Sequence, residues 1–160
     1  MIHLIERALP ARLHRALLPA AHTMRHFWRM LRKVPLRGCA VVIEDDGGSI
    51  LLLRHSYGPK VWALPGGGIA KGEQPAAAAK REMKEELDLS LDKISAVGTV
   101  ENEISRSPHA VHLFSALTDQ AARPDRREVL EARFFPKGSL PEPLSPTTRE
   151  CLALWTAKSD

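Results

Sequence analysis

Three glutamates, Glu82, Glu85 and Glu86, crowd one short stretch of the chain, downstream of the glycines Gly66, Gly67, Gly68 and Gly72. Winding Pro75 to Leu87 as a helix puts the three carboxylates at i, i+3 and i+4, within an arc of roughly 100°. Neither Lys80 nor Lys84 falls between them. Like charges held so close repel, and a hard dication with oxygen ligands, Mg²⁺ or Mn²⁺, relieves that repulsion. The spacing therefore predicts a metal site. A solvated acidic edge on an ordinary amphipathic helix is the plainer alternative.

Those residues carry a specific resemblance. Gly67, Glu73, Arg81, Glu82, Met83, Glu85, Glu86 and Leu89 match the Nudix box, with Asp88 where that family has glycine. A glycine there would end the helix in a left-handed turn, a conformation Asp tolerates better than most other residues. The resemblance implies an α/β (α+β) fold, a Nudix-type α/β/α sandwich around a mixed sheet. It also implies divalent-metal-dependent hydrolysis of a phosphoanhydride bond in a nucleoside diphosphate linked to another group, releasing a monophosphate. Mg²⁺ is the expected cofactor, with Mn²⁺ able to replace it. Glu82 and Glu86 are the first-choice metal ligands, Glu85 joins them or acts on the attacking water, and the resemblance adds the Gly67 carbonyl. Arg81, four residues before Glu85, is expected to orient a carboxylate, and Glu73 to brace the loop. A non-catalytic nucleotide-binding Nudix module is the rival reading.

Elements must hold these groups in place. Pro75 suits the first position of the box helix, whose apolar face is expected to comprise Ala76, Ala79, Met83 and Leu87. Cys39 to Ile43 and Ser49 to Arg54 read as strands of a hairpin around the turn Glu44 to Gly48, and Val61 to Pro65 as a short strand entering the glycines. Arg54, Tyr57, Gly66, Gly67 and Gly68 are expected on the substrate side. Tyr57, Phe114 and Phe134 could each stack on a base or simply pack, and His55, His109 and His112 could meet phosphate or line strands. Ile94 to Glu103 and Ala110 to Leu117 read as strands, Thr118 to Arg127 as a polar loop, and Pro146 to Ala157 as a closing helix. Ahead of the strand Ala132-Arg133-Phe134-Phe135, the resemblance offers Glu128, in preference to Glu131, as a further catalytic acid. Pairing with Arg126 or Arg133 is the plain alternative.

The 160 residues carry a net charge of +4, but the charge is unevenly placed. Up to Gly38 eight basic residues face Glu6 alone, a local +7 that leaves −3 for the rest. The basic character thus belongs to a segment and gives no reason to expect stable nucleic-acid binding. Residues 1–37 read as a basic amphipathic helical extension and residues 38–160 as the Nudix domain. The extension could pack on the domain or on a second copy in a homodimer, lie on an anionic membrane surface, or be a cleaved transit peptide. Cys39 and Cys151 have neither disulfide nor zinc spacing, which fits a reducing, cytoplasmic setting. No run is apolar enough to span a membrane.

Overall fold

In a computed structural model of the chain, residues 36–104 and 107–159 are described. The expectations for the basic extension fall on residues outside these, apart from Leu36 and Arg37.

The first strand, β1 (Leu36–Glu44), begins two residues before the anticipated boundary at Gly38. Its apolar run is buried on both faces, which fits a central strand covered from two sides. It turns into β2 (Ser49–His55) through a loop in which Asp45 Oδ1 accepts from Ser49 N–H at 2.8 Å. Gly48 has φ of 74°, a left-handed geometry that explains glycine there. The expected strand at Val61 to Pro65 is instead two isolated bridges, Leu53 with Ala63 and Trp62 with Leu144. A short β3 (Gly66–Gly68) follows, antiparallel to β1 with Cys39 opposite Gly67. It lies so close that a Cβ on Gly66 would sit 2.1 Å from the Cys39 carbonyl oxygen.

The box helix α1 spans Pro75–Leu87, with Pro75 in its first turn. It buries Ala78, Ala79, Met83, Glu86 and Leu87. Ala76, expected on that face, is exposed, and Glu86 takes part in the buried side. Asp88 ends the helix at φ 55° and ψ 27°, the left-handed position foreseen for it. Its carboxylate also pairs with Lys84 and approaches Arg123 at 4.0 Å.

Two long strands follow, β4 (Ser95–Ile104) and β5 (Ser107–Leu117), then β6 (Val129–Pro136) and α2 (Pro146–Ser159). β5 starts three residues before the expected Ala110, because Ser107, Pro108 and His109 already pair with β4. Ser145 caps α2, its hydroxyl accepting from Thr148 N–H at 3.1 Å.

The sheet runs β4-β5-β1-β2-β6, with β3 also on β1. β1 and β5 are parallel from Leu36 opposite His109 to Glu44 opposite Leu117, while the other pairings are antiparallel, so the sheet is mixed. Alternation along the strands then sorts the core. Val41, Ile43, Leu51 and Leu53 pack with Met83 and Leu87 of α1. Val42, Ile50 and Leu52 face the other way, to Cys151 and Trp155 of α2. The sheet is thus sandwiched between two helices.

Candidate active site

β3 delivers the glycines to the flank of α1, and the fit there is close. A Cβ on Gly67 would lie 2.3 Å from Glu82 Cδ, so the carboxylate occupies space that only glycine leaves open. Arg81 organises the charges beside it. Its Nε and Nη2 donate to the two Glu73 oxygens at 2.8 and 3.0 Å, and Nη2 also reaches the Gly68 carbonyl at 3.1 Å. Its Nη1 donates to Glu82 at 2.8 Å and to Glu85 at 3.3 Å. Such a forked guanidinium fixes carboxylate positions as well as balancing charge. Glu73 in turn accepts from Ala70 N–H at 2.9 Å, and these bonds hold its carboxyl down at about 2. The bracing expected of Glu73 and the orienting contact expected of Arg81 are both present in the geometry.

Glu86 is the anomalous member. Only 6% exposed, it has one oxygen, Oε2, buried without a hydrogen-bond partner. Burial first, and then the charges of Glu82, Glu128 and Asp125, push its pKa well above the usual carboxylate range. Burial also raises Glu82, against the pull of Arg81. An unpaired buried carboxylate is costly, and the neighbouring acids raise the cost further. Among the described residues no three His, Cys, Asp or Glu side chains are already drawn together as a cage. Yet the donors fit a hard divalent cation: oxygen ligands only, one of them an orphaned buried oxygen. Glu82, Glu85, Glu86 and the Gly67 carbonyl are the groups that would hold it.

The loop before β6 reaches the same cluster by a route the sequence reading missed. Arg123 N–H donates to the Leu87 carbonyl at 2.8 Å and Asp125 N–H to the Glu86 carbonyl at 2.9 Å, so the loop caps carbonyls that α1 leaves unsatisfied. The Asp125 carboxylate then accepts from the backbone N–H groups of Arg127, Glu128 and Val129 at 2.9 to 3.1 Å. From the other side Ser56 N–H donates to the Glu128 carbonyl at 2.8 Å, and Tyr57 makes a long 3.5 Å contact with Glu128 Oε2. Glu128 is thereby brought to the box acids. Glu131 lies on the opposite face of β6, beside Arg54 at 3.6 Å and Arg133.

A cleft of about 390 Å³ opens beside this cluster, bounded by Tyr57, Gly66, Gly67, Gly68, His109 and Thr147 among others. Arg54 is not brought into it: its guanidinium lies 5.6 Å from the centre of the Trp62 ring. Phe114 is buried in the core and Phe134 packs against it, so of the three aromatic candidates Tyr57 is the one bordering the cleft. His55 lies against Tyr57, ring centres 5.2 Å apart, while His112 sits near Thr99 on β4. Cys39 and Cys151 are free and buried, and burial raises both thiols to about 11, which disfavours the thiolate form. A larger hollow of about 730 Å³ lies between Glu44 and Gln120 and contains none of the box residues.

Known proteins agree with this architecture. The profile of the NUDIX domain matches residues 34–155. An isopentenyl-diphosphate Δ-isomerase from Streptomyces griseus subsp. griseus is 36% identical over 117 residues, covering 66% of this chain and 59% of that protein. An ADP-ribose pyrophosphatase from Mycobacterium tuberculosis is 32% identical over 81 residues, covering 48% of this chain and 39% of its own length. The chain therefore spans less than two thirds of either relative. The crystal structure of a MutT NUDIX hydrolase from Burkholderia pseudomallei superposes with a TM-score of 0.69 at 27% identity, over 76% of this chain and 98% of that one. With the box, the sandwich and the profile match in agreement, the chain belongs to the Nudix family.

Proposed function

We propose that the chain is a Nudix pyrophosphohydrolase, cleaving a phosphoanhydride bond in a nucleoside diphosphate linked to another group and releasing a monophosphate. The observation that carries this reading is Glu86: a buried carboxylate with an orphaned oxygen, placed among Glu82, Glu128 and Asp125. Evolution of a merely structural helix has no use for such a group, whereas a phosphate-bound dication does. A bound Mg²⁺ or Mn²⁺ would offset the charge of the phosphate oxygens and acidify a coordinated water. The protein's own part is to hold Glu82 and Glu85 on Arg81, to keep the Gly67 backbone against Glu82, and to supply a base. Glu128 is the candidate base, because it lies close enough to Glu82 and Glu86 for its charge to raise the pKa of both. A cytoplasmic setting accords with two free thiols.

A panel tests the reading: ADP-ribose, nucleotide sugars, dinucleoside polyphosphates and isopentenyl diphosphate, each with Mg²⁺ and with chelator. The expected result is metal-dependent release of a nucleoside monophosphate from at least one member. Nucleotide binding with no turnover would favour the non-catalytic module, and conversion of isopentenyl diphosphate without phosphate release would favour an isomerase.

A further inference from the structure

We infer that Ser56 is a positioning residue for the reaction, holding the backbone at Arg127 and Glu128 so that the Glu128 carboxylate faces the box acids. The inference rests on the pyrophosphohydrolase reading with Glu128 as its base, and adds to it the group that keeps that base in place. The ladder between β2 and β6 explains why a holder is needed. Arg54 stands opposite Glu131 and His55 opposite Val129, so Leu130 is passed over and β6 carries a bulge there. A bulge breaks the alternation of a strand, and pairing alone no longer sets where Glu128 points. The turn just before it is strained as well, because Arg126 adopts φ of 57° without being glycine.

Two sets of hydrogen bonds hold this segment, one for each kind of backbone group. The Asp125 carboxylate, an acceptor, takes the N–H groups of Arg127, Glu128 and Val129. Ser56 supplies donors to the carbonyls. Its hydroxyl donates to the Arg127 carbonyl at 2.6 Å and its N–H to the Glu128 carbonyl at 2.8 Å. The two peptide planes flanking the Glu128 Cα are thus both held, and with them the direction of its Cβ. Ser56 is half-buried and does not border the cleft, although its neighbours His55 and Tyr57 do. It therefore acts on the reaction through Glu128 and not by touching substrate.

The test is a double-mutant cycle between Ser56 and Glu128, read by steady-state kinetics with Mg²⁺ on ADP-ribose, UDP-glucose and diadenosine tetraphosphate. On whichever of these the wild type hydrolyses, Ser56→Ala should lower kcat about fivefold or more, the worth of one hydrogen bond, and leave KM within about twofold. Ser56→Thr, which keeps the hydroxyl, should restore most of the rate. Ser56→Cys, a weaker donor of similar shape, should fall between, and it serves as the second variant if the alanine protein does not fold. Added to Glu128→Gln, Ser56→Ala should slow the enzyme little further, because the carboxylate it positions has gone. A wild-type rate for Ser56→Ala or Ser56→Cys, a loss confined to KM, or slowing that adds in full to that of Glu128→Gln would overturn the assignment of Ser56 and leave the hydrolase reading intact. A Glu128→Gln protein as fast as wild type would overturn the roles of both Glu128 and Ser56, with hydrolysis itself still standing. No turnover of any of the three compounds by wild type would overturn the hydrolase reading and the assignment together.

Discussion

Glu128 and Glu131 stand three residues apart and meet different surroundings, which makes them a matched pair. Glu128 is drawn in beside Tyr57 and the box acids, whereas Glu131 faces Arg54 and Arg133 across the sheet. We expect Glu128→Gln to cut kcat by about 10²-fold, the range for a general base, with KM changed far less. Glu131→Gln should be nearly silent, since exposed ion pairs contribute about 1 kcal/mol or less. Steady-state kinetics at saturating Mg²⁺ decide the matter, and equal rates for the two variants would remove Glu128 from the chemistry. Glu73 offers a second residue-scale prediction. Its folded pKa of about 2 lies below the ordinary glutamate value, so its contribution is present above about pH 4.3 and lost as the pH falls toward 2. The gap in Tm between wild type and Glu73→Gln should narrow over that window, and a gap that stays constant would show that the carboxylate's charge is irrelevant to the brace.

Among the elements, what was legible in the sequence was what is local. The box helix carries its spacing, its first-turn proline and its terminating Asp88 within one short segment, and the structure reproduces all three. The strands β1, β2 and β6 announce themselves by apolar runs. The loop before β6 was illegible because its work is done by backbone groups and over a long separation: Arg123 and Asp125 cap carbonyls of Leu87 and Glu86. No local pattern marks Asp125, though it fixes the segment that presents Glu128. Asp125→Ala should lower kcat by about tenfold or more and loosen the loop, whereas Asp125→Asn, which keeps the Oδ1 acceptor, should restore most of the rate. If Asn and Ala behave alike, the three backbone bonds are not what positions Glu128. The buried side of α1 was misjudged at Ala76 and Glu86 for a related reason: periodicity assigns a polar residue to solvent, and a site acid violates that rule. At the end of α1, Asp88→Gly would relieve a left-handed Asp but lose the contacts to Lys84 and Arg123. The two effects oppose one another and an unfolded-state entropy cost is added, so a Tm within about 2 °C of wild type is expected. A large rise would mean the ion pairs contribute nothing.

Over the whole molecule, we propose that the fold stores repulsion among Glu82, Glu86 and their neighbours and that a divalent cation relieves it. Folded pKa values of Glu82 and Glu86 are raised, so the native state holds protons that the unfolded chain releases. Their contribution to stability is therefore full below the unfolded glutamate pKa and is lost as the pH rises through the folded values. Half-buried His55 is shifted downward, chiefly by desolvation, and acts in the opposite sense below its ordinary value, so a variant lacking only the Glu86 charge is needed as reference. The decisive measurement is the Tm of wild type and Glu86→Gln in chelator and in excess Mg²⁺, at about pH 5 and about pH 8. Wild type should gain about 5–10 °C from Mg²⁺ at the higher pH, the shift expected for a ligand at roughly a hundred times its Kd. It should gain less at the lower pH, and Glu86→Gln should gain little at either. A Mg²⁺ shift of equal size in both proteins, or none in wild type, would contradict the account.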